Sequence, residues 1–148
     1  MNATVRSSAH PATIHWSRIV GGAFLLELVL FLVLIPIGIA FTPAGGEMTD
    51  STVFLIAVPT GCFVAGAAVS AWIFRRVAAQ RVLHGALLGV IATGIYFAIC
   101  AAAPGGIPAV IAGYGPFVFW LSQVLLICGS IAGAPVRPRQ WTHSTHER

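Results

Sequence analysis

Glu27 is the residue with the clearest chemical potential, because it is an acid inside a long apolar run. It lies nine positions beyond Arg18, which corresponds to about 13 Å along a helix that rises 1.5 Å per residue. At that depth in a membrane a carboxylate costs at least about 2–3 kcal/mol, and desolvation favours its neutral, protonated form. We therefore expect Glu27 to face neighbouring helices rather than lipid.

Depth along the helices also selects partners for Glu27. Thr93 and Gln123 each lie twelve positions inside the boundary of their own apolar segment, or about 18 Å deep, and the side chain of Cys62 reaches the same layer. Two interpretations stay open. In one, Glu27 is a proton or cation site with Gln123 and Thr93 as its hydrogen-bond partners; in the other, a protonated Glu27 bonds to a neighbouring helix and fixes its register.

A second, lower polar layer is predicted nearer the basic ends of the helices. His84 lies only three positions after Arg81, so it is too shallow to touch Glu27 directly. We place His84 in this lower layer together with Ser70 and Ser130.

Other site chemistries find little support. Four histidines lie in the polar tails without fixed geometry or neighbouring cysteines: His10, His15, His143 and His146. All three cysteines lie inside apolar runs and are interpreted as packing residues: Cys62, Cys100 and Cys128. The sequence has no Cys-x-x-Cys motif, no phosphate-binding glycine loop and no Ser-His-Asp set on one membrane face. It therefore predicts a protein without enzymatic activity, metal site or cofactor.

The composition explains why these residues need a membrane. Hydrophobic residues make up 57% and charged residues 8% of the 148 positions, against about 25% charged in soluble domains. The net charge of +4 does not indicate nucleic-acid binding, because the arginines form short clusters beside apolar runs. Four such runs are long enough to cross the hydrocarbon layer as helices: Ile19–Phe41, Val53–Phe74, Val82–Ala103 and Tyr114–Ala134.

The predicted fold is therefore an all-α integral membrane protein, a four-transmembrane-helix bundle that forms one domain over residues 1–148. We predict helices at about 17–41, 52–75, 81–103 and 112–135. A cleavable signal peptide is the alternative for the first run, which is longer than the usual 7–15 apolar residues of a signal core. The segment Pro104–Pro108 is predicted to be a turn, and the apolar segment Ala109–Tyr114 to approach the interface.

Basic residues indicate the orientation. They lie before the first span, between the second and third, and after the fourth: Arg6, Arg18, Arg75, Arg76, Arg81, Arg137, Arg139 and Arg148. The links 42–52 and 104–113 contain no Lys or Arg. Because positive charge stays on the cytoplasmic side, both termini are predicted there, with flexible tails at 1–15 and 137–148. Trp16, Trp72 and Trp141 lie near the same boundary, as interfacial anchors do.

Small residues recur at helical spacing and are predicted to mediate helix packing: Gly66, Gly85, Gly89, Gly129 and Gly133. Packing within one bundle and self-association through one stripe both remain open. The preferred functional hypothesis is a non-enzymatic bundle that associates with itself, a membrane-protein partner or lipid through these stripes. The alternative is a small transporter or ion-conducting oligomer that uses Glu27. Apart from the lipid bilayer, no partner is specified.

Two segment pairs suggest an internal repeat. A shift of 63 aligns Arg18–Leu25 with Arg81–Leu88, and a shift of 67 aligns Val64–Val69 with Ile131–Val136. A tandem duplication of a two-helix hairpin would relate the halves by an axis along the membrane normal. Coincidence in a sequence rich in Ala, Gly and Val remains the alternative.

The same segments carry a family resemblance. A glycine-rich helix with Ala65-Gly-Ala-Ala-Val69 leads through Arg75-Arg76 into His84-Gly-Ala-Leu-Leu-Gly89, and the last helix ends in Gly129-Ser-Ile-Ala-Gly133. This arrangement resembles a group of small bacterial four-helix integral membrane proteins of uncharacterised function. The resemblance implies a four-helix architecture in a bacterial cytoplasmic (inner) membrane, and it implies no activity.

Overall fold

The computed structural model describes residues 14–41, 50–77 and 80–135, which form five helices. These are α1 (Trp16–Phe41), α2 (Thr52–Phe74), α3 (Arg81–Ala102), α4 (Gly106–Tyr114) and α5 (Pro116–Gly133). All except α4 are long and apolar enough to cross a membrane. The prediction of an all-α architecture with four candidate spans is therefore confirmed.

Part of the sequence-based prediction falls outside the described residues. The tail 137–148 lies there completely, and the tail 1–15 lies there except for Ile14 and His15. The same holds for individual residues used above: Arg6, His10, Arg137, Arg139, Trp141, His143, His146 and Arg148.

Local sequence explains where two of the helices begin. The hydroxyl oxygen of Ser51 accepts a hydrogen bond from the backbone N–H of Phe54 at 3.3 Å, and so caps the first turn of α2. Pro116 occupies the first turn of α5, where the backbone N–H that proline lacks has no helical partner to lose. The internal prolines Pro36 and Pro59 leave α1 and α2 continuous.

The predicted fourth helix is corrected by the structure. Instead of one helix at about 112–135, the chain forms α4 and α5 with a break at Gly115, whose φ of 75° favours glycine. The predicted turn at Pro104–Pro108 is confirmed at Pro104 and Gly105 and is wrong beyond them, because α4 begins at Gly106. Pro108 does not prevent this, since it lies in the first turn of α4.

Each long helix buries one face and exposes apolar side chains on the other. On α1 the buried positions recur three and four residues apart, as in Ala23, Leu26 and Leu30. On the opposite face Leu32 is 67% and Ile39 is 74% exposed. Soluble monomers rarely leave so continuous an apolar surface uncovered, and this pattern is expected of helices that face lipid.

Glycines bring the helices close together inside the bundle. Helices α2 and α5 make the most extensive contact, and they run parallel, since Phe63 meets Gly129 and Ala67 meets Gly133. A Cβ atom added to Gly129 or Gly133 would overlap the backbone carbonyl of Phe63 or Ala67 respectively. Gly66 faces Leu126 and Ser130 on α5 in the same way.

The bundle has two distinct ends. At one end the first turns of α1 and α3 meet the last turn of α2: the backbone N–H of His15 lies 3.3 Å from Nε2 of His84, and the rings of His84 and Phe74 are 5.4 Å apart. We call this the arginine end, because it carries Arg18, Arg75, Arg76 and Arg81. The opposite end carries α4 and is called the α4 end.

Candidate functional site

Glu27 lies in the interior of the bundle, as its sequence position predicts. It is on the buried face of α1 and only 4% exposed. Its neighbours on that face, Ala23, Leu26 and Leu30, are all apolar and buried, so its polar contacts must come from other helices.

A small cavity of about 50 Å³ lies against Glu27. Side chains from all five helices line it, and six of them carry an oxygen or sulfur atom: Glu27, Cys62, Tyr96, Tyr114, Ser122 and Gln123. We call this space the Glu27 cavity. Since one water molecule requires about 10–15 Å³ of such space, the cavity is large enough for a few water molecules or a small cation.

Two buried oxygen atoms in this cavity have no hydrogen-bonding partner among residues 14–41, 50–77 and 80–135. They are Oε1 of Glu27 and Oε1 of Gln123. Buried polar side-chain atoms in proteins nearly always have a partner, and an unmade bond costs about 1–3 kcal/mol. A carboxyl oxygen and an amide oxygen that line the same cavity are therefore an arrangement suited to a bound donor or cation.

The other polar side chains of the cavity are held in place by their neighbours. The Ser122 hydroxyl donates to the backbone oxygen of Val118 at 2.7 Å, and the Cys62 thiol lies within hydrogen-bonding reach of Ser122. The Tyr96 hydroxyl lies within reach of Tyr114. These contacts give the cavity fixed walls around Glu27.

Aromatic packing positions the two tyrosines. The ring of Tyr96 on α3 lies 6.0 Å from that of Phe119 on α5, and the ring of Tyr114 lies 5.5 Å from that of Phe54 on α2. Tyr114 is the last residue of α4. The break at Gly115 therefore places its side chain over the bundle, where it lines the cavity.

The structure brings together only part of the predicted polar site. Cys62 and Gln123 line the cavity with Glu27, but Thr93 does not. Oγ1 of Thr93 is buried without a hydrogen-bonding partner. The predicted hydrogen bonds from Glu27 to Gln123 and Thr93 are not formed in this conformation, since Oε1 of Glu27, Oε1 of Gln123 and Oγ1 of Thr93 have no partner among the described residues.

Sequence reasoning missed Tyr96, Tyr114 and Ser122. One signal could have indicated the tyrosines. The chain contains only two; Tyr96 lies inside the third predicted span and Tyr114 near the start of the fourth, both toward the link 104–113. Ser122 is adjacent to Gln123, but its depth alone does not show which way it points.

All three residues of the predicted lower layer are buried, but no hydrogen bond among the described residues joins them. His84 is buried, but its Nδ1 atom lies 2.8 Å from the backbone oxygen of Gln80, and its Nε2 atom accepts from His15. The hydroxyls of Ser70 and Ser130 are buried without partners. His84 thus satisfies its ring through the backbone at the arginine end rather than through the two serines.

The Glu27 cavity extends in one direction only. Its lining continues along α1 to Leu34 and Ile35, and ends near Tyr114 at the α4 end. Toward the arginine end, Glu27 is the last residue of α1 that lines it. In this conformation the acid lies at the bottom of a cavity that points toward the α4 end.

Comparisons with known proteins add no assignment to this site. No family model, curated protein or solved structure matches the chain. Among residues 14–41, 50–77 and 80–135 there is no group of three or more His, Cys, Asp or Glu side chains that could hold a metal ion. The function must therefore be inferred from the geometry of the bundle.

Proposed function

We propose that the chain is a small multi-pass membrane protein that binds a proton or a small cation at Glu27, and that this binding serves transport or conduction across the membrane. The observation that carries the proposal is the pair of unpartnered oxygens, Oε1 of Glu27 and Oε1 of Gln123, in one cavity. The role is one of binding and transfer rather than of catalysis.

The chemistry of the cavity favours a small hard cation or a proton. The polar lining consists of carboxyl, amide and hydroxyl groups with one thiol, and it includes no Lys, Arg or His. Oxygen atoms of this kind coordinate hard cations, and acids inside a membrane commonly mark ion and proton pathways. A single carboxylate matches one proton or one monovalent cation.

The register-fixing alternative for Glu27 receives less support. An acid that fixes the register of two helices must bond to a group on the neighbouring helix, and Oε1 of Glu27 has no such bond. Retaining an unpartnered acid costs stability. A role in binding a proton or cation explains better why the chain has an acid at this position.

Association through glycine stripes is likewise less favoured. All five of the stripe glycines are buried, and an added Cβ at each would meet another helix of the same chain. Gly85 and Gly89, for example, face Ser130 and Ile127 on α5. The stripes are thus used inside the bundle, and a second molecule would have to bind elsewhere.

The membrane in which the protein lies and its orientation there follow from the family resemblance and from the arginines. We place the protein in a bacterial cytoplasmic membrane, as the family resemblance implies, with the arginine end and both termini in the cytoplasm. The two aligned segment pairs in the sequence support a tandem duplication of a two-helix hairpin. Transport would then require a second conformation in which the cavity opens toward the arginine end.

A flux measurement tests this function. The full chain is reconstituted into liposomes, and proton and sodium fluxes are followed under an imposed gradient. We expect the wild-type protein to conduct one of the two ions above the rate of protein-free vesicles, and Glu27→Gln to lose that flux.

A matched acid controls for the change of charge. Asp50 lies at the start of α2, away from the cavity, and Asp50→Asn should conduct like wild type. Equal flux in wild type and Glu27→Gln would remove the proposal, and so would wild-type flux no greater than that of empty vesicles.

A further inference from the structure

A second cavity lies at the arginine end, between the first turns of α1 and the last turn of α2. This groove has a volume of about 340 Å³. Its lining includes three arginines, Arg18, Arg75 and Arg76, together with Ser17 and Trp72. It is separate from the Glu27 cavity, with which it shares no lining residue.

No acid among the described residues lies in this groove to neutralise its positive charge. Of the acids in the described residues, Glu27 lies in the other cavity and Asp50 belongs to the α4 end. Glu27 lies nine positions beyond Arg18 on the buried face of α1. Asp50 lies 25 positions before Arg75 along α2, so both acids are far from the groove arginines. The guanidinium of Arg75 lies 5.9 Å from the centre of the Trp72 ring.

We infer that this groove binds the phosphate group of an anionic phospholipid. Three exposed guanidinium groups and the Ser17 hydroxyl supply hydrogen-bond donors to phosphate oxygens, which arginine recognises well. Basic pockets between membrane helices commonly recognise lipid headgroups, and each basic residue near the surface adds about fivefold to affinity.

The walls of the groove favour a lipid over a soluble phosphate. Trp72 is 57% exposed, and tryptophan prefers the headgroup level of a bilayer. Below the arginines, the groove continues to Leu25, and the adjacent face of α1 exposes Phe24 and Leu28. Leu28 lies ten residues beyond Arg18, about 15 Å deeper along the helix, where acyl chains would pack.

Glycine creates the space for the headgroup. Gly21 lines the groove, and an added Cβ would meet no atom within 4 Å. A larger side chain at this position would therefore fill the groove without displacing a helix. Gly94 on α3 offers a matched control, because it also has no atom within 4 Å of an added Cβ and does not line the groove.

Native mass spectrometry of the full chain tests the inference. The protein is released from detergent with phosphatidylglycerol and phosphatidylcholine at equal concentration, and bound lipids are counted. Wild type should retain phosphatidylglycerol preferentially. Arg18→Gln, Arg75→Gln and Arg76→Gln should each reduce this preference about fivefold, and Gly21→Leu should abolish it, whereas Gly94→Leu should leave it unchanged.

The outcomes separate the possible ligands. Equal phosphatidylglycerol retention by wild type and Gly21→Leu would overturn the inference. An additional arm offers inorganic phosphate alone. Binding of inorganic phosphate without any preference between the two lipids would assign the groove to a soluble phosphate and would also overturn it.

Discussion

At the scale of single residues, Glu27 combines burial with an unmade hydrogen bond. The surrounding side chains explain why Oε1 of Glu27 receives no hydrogen bond. Gln123 presents another unpartnered acceptor oxygen, and the Ser122 hydroxyl donates to its own helix at Val118. A bound proton or cation would supply what the cavity lacks, and it would link the stability of the bundle to occupancy of the site.

The first prediction concerns the cost of this acid. Glu27→Leu replaces an unpartnered polar group by an apolar one of similar size, so it should raise the free energy of unfolding by about 1–3 kcal/mol while abolishing ion flux. Thermal unfolding in detergent measures the first effect. Glu27→Gln keeps a buried polar group, so its free energy of unfolding should rise by less than that of Glu27→Leu.

The opposite result would have a clear meaning. If Glu27→Leu unfolds at a lower temperature than wild type, then Glu27 bonds to a neighbouring helix and stabilises the bundle. The acid would then fix helix register, and the functional interpretation of the cavity would be wrong.

At the scale of helices, the sequence predicted which segments are membrane-spanning helices better than it predicted which way each helix turns its side chains. The apolar runs identify four spans because the hydrocarbon layer demands about twenty apolar residues for each. The break at Gly115 escaped prediction, since the residues on both sides of it are apolar and continue one hydropathy run. Only the backbone conformation of that glycine separates α4 from α5.

The same limit explains the partly predicted site. Depth arithmetic placed Cys62 and Gln123 near the level of Glu27, and both line its cavity. Depth does not determine the rotation of a helix about its axis, so Thr93 was included and Tyr96 was overlooked. The position of Tyr114 depends on the break before α5, which the hydropathy pattern does not contain.

The second prediction concerns the contact between α2 and α5. Gly133→Ala adds a methyl group that would overlap the backbone oxygen of Ala67, so it should cost about 1–3 kcal/mol of stability. Gly94→Ala, whose added methyl group meets nothing within 4 Å, should be neutral or stabilising by up to about 1 kcal/mol. Thermal unfolding of the two variants measures the difference; equal midpoints would contradict the close packing of α2 against α5.

The third prediction concerns the start of α2. Ser51→Ala removes the side-chain oxygen that accepts from the Phe54 N–H, and it should cost about 1 kcal/mol. Ser51→Asp retains a capping oxygen and should restore most of the loss. A Ser51→Ala midpoint indistinguishable from that of wild type would show that the cap is not needed for α2.

At the scale of the whole molecule, four spans would place both termini on the same side of the membrane, and the arginines predict that this side is the cytoplasm. We expect green fluorescent protein fused to the C-terminus to fluoresce in bacterial cells. Alkaline phosphatase inserted in the link 42–49 should be active, because that link would face the periplasm. An inactive insertion together with a dark C-terminal fusion would reverse the orientation.

The carboxyl group of Glu27 is proposed to exchange a proton or a cation inside the bundle. Infrared difference spectroscopy of the reconstituted protein observes that group directly. Changing the pH, or replacing a large organic cation by sodium, should alter a carboxyl band that is absent in Glu27→Gln and present in Asp50→Asn. If neither change alters any band that depends on Glu27, the acid is not exchangeable and the account is contradicted.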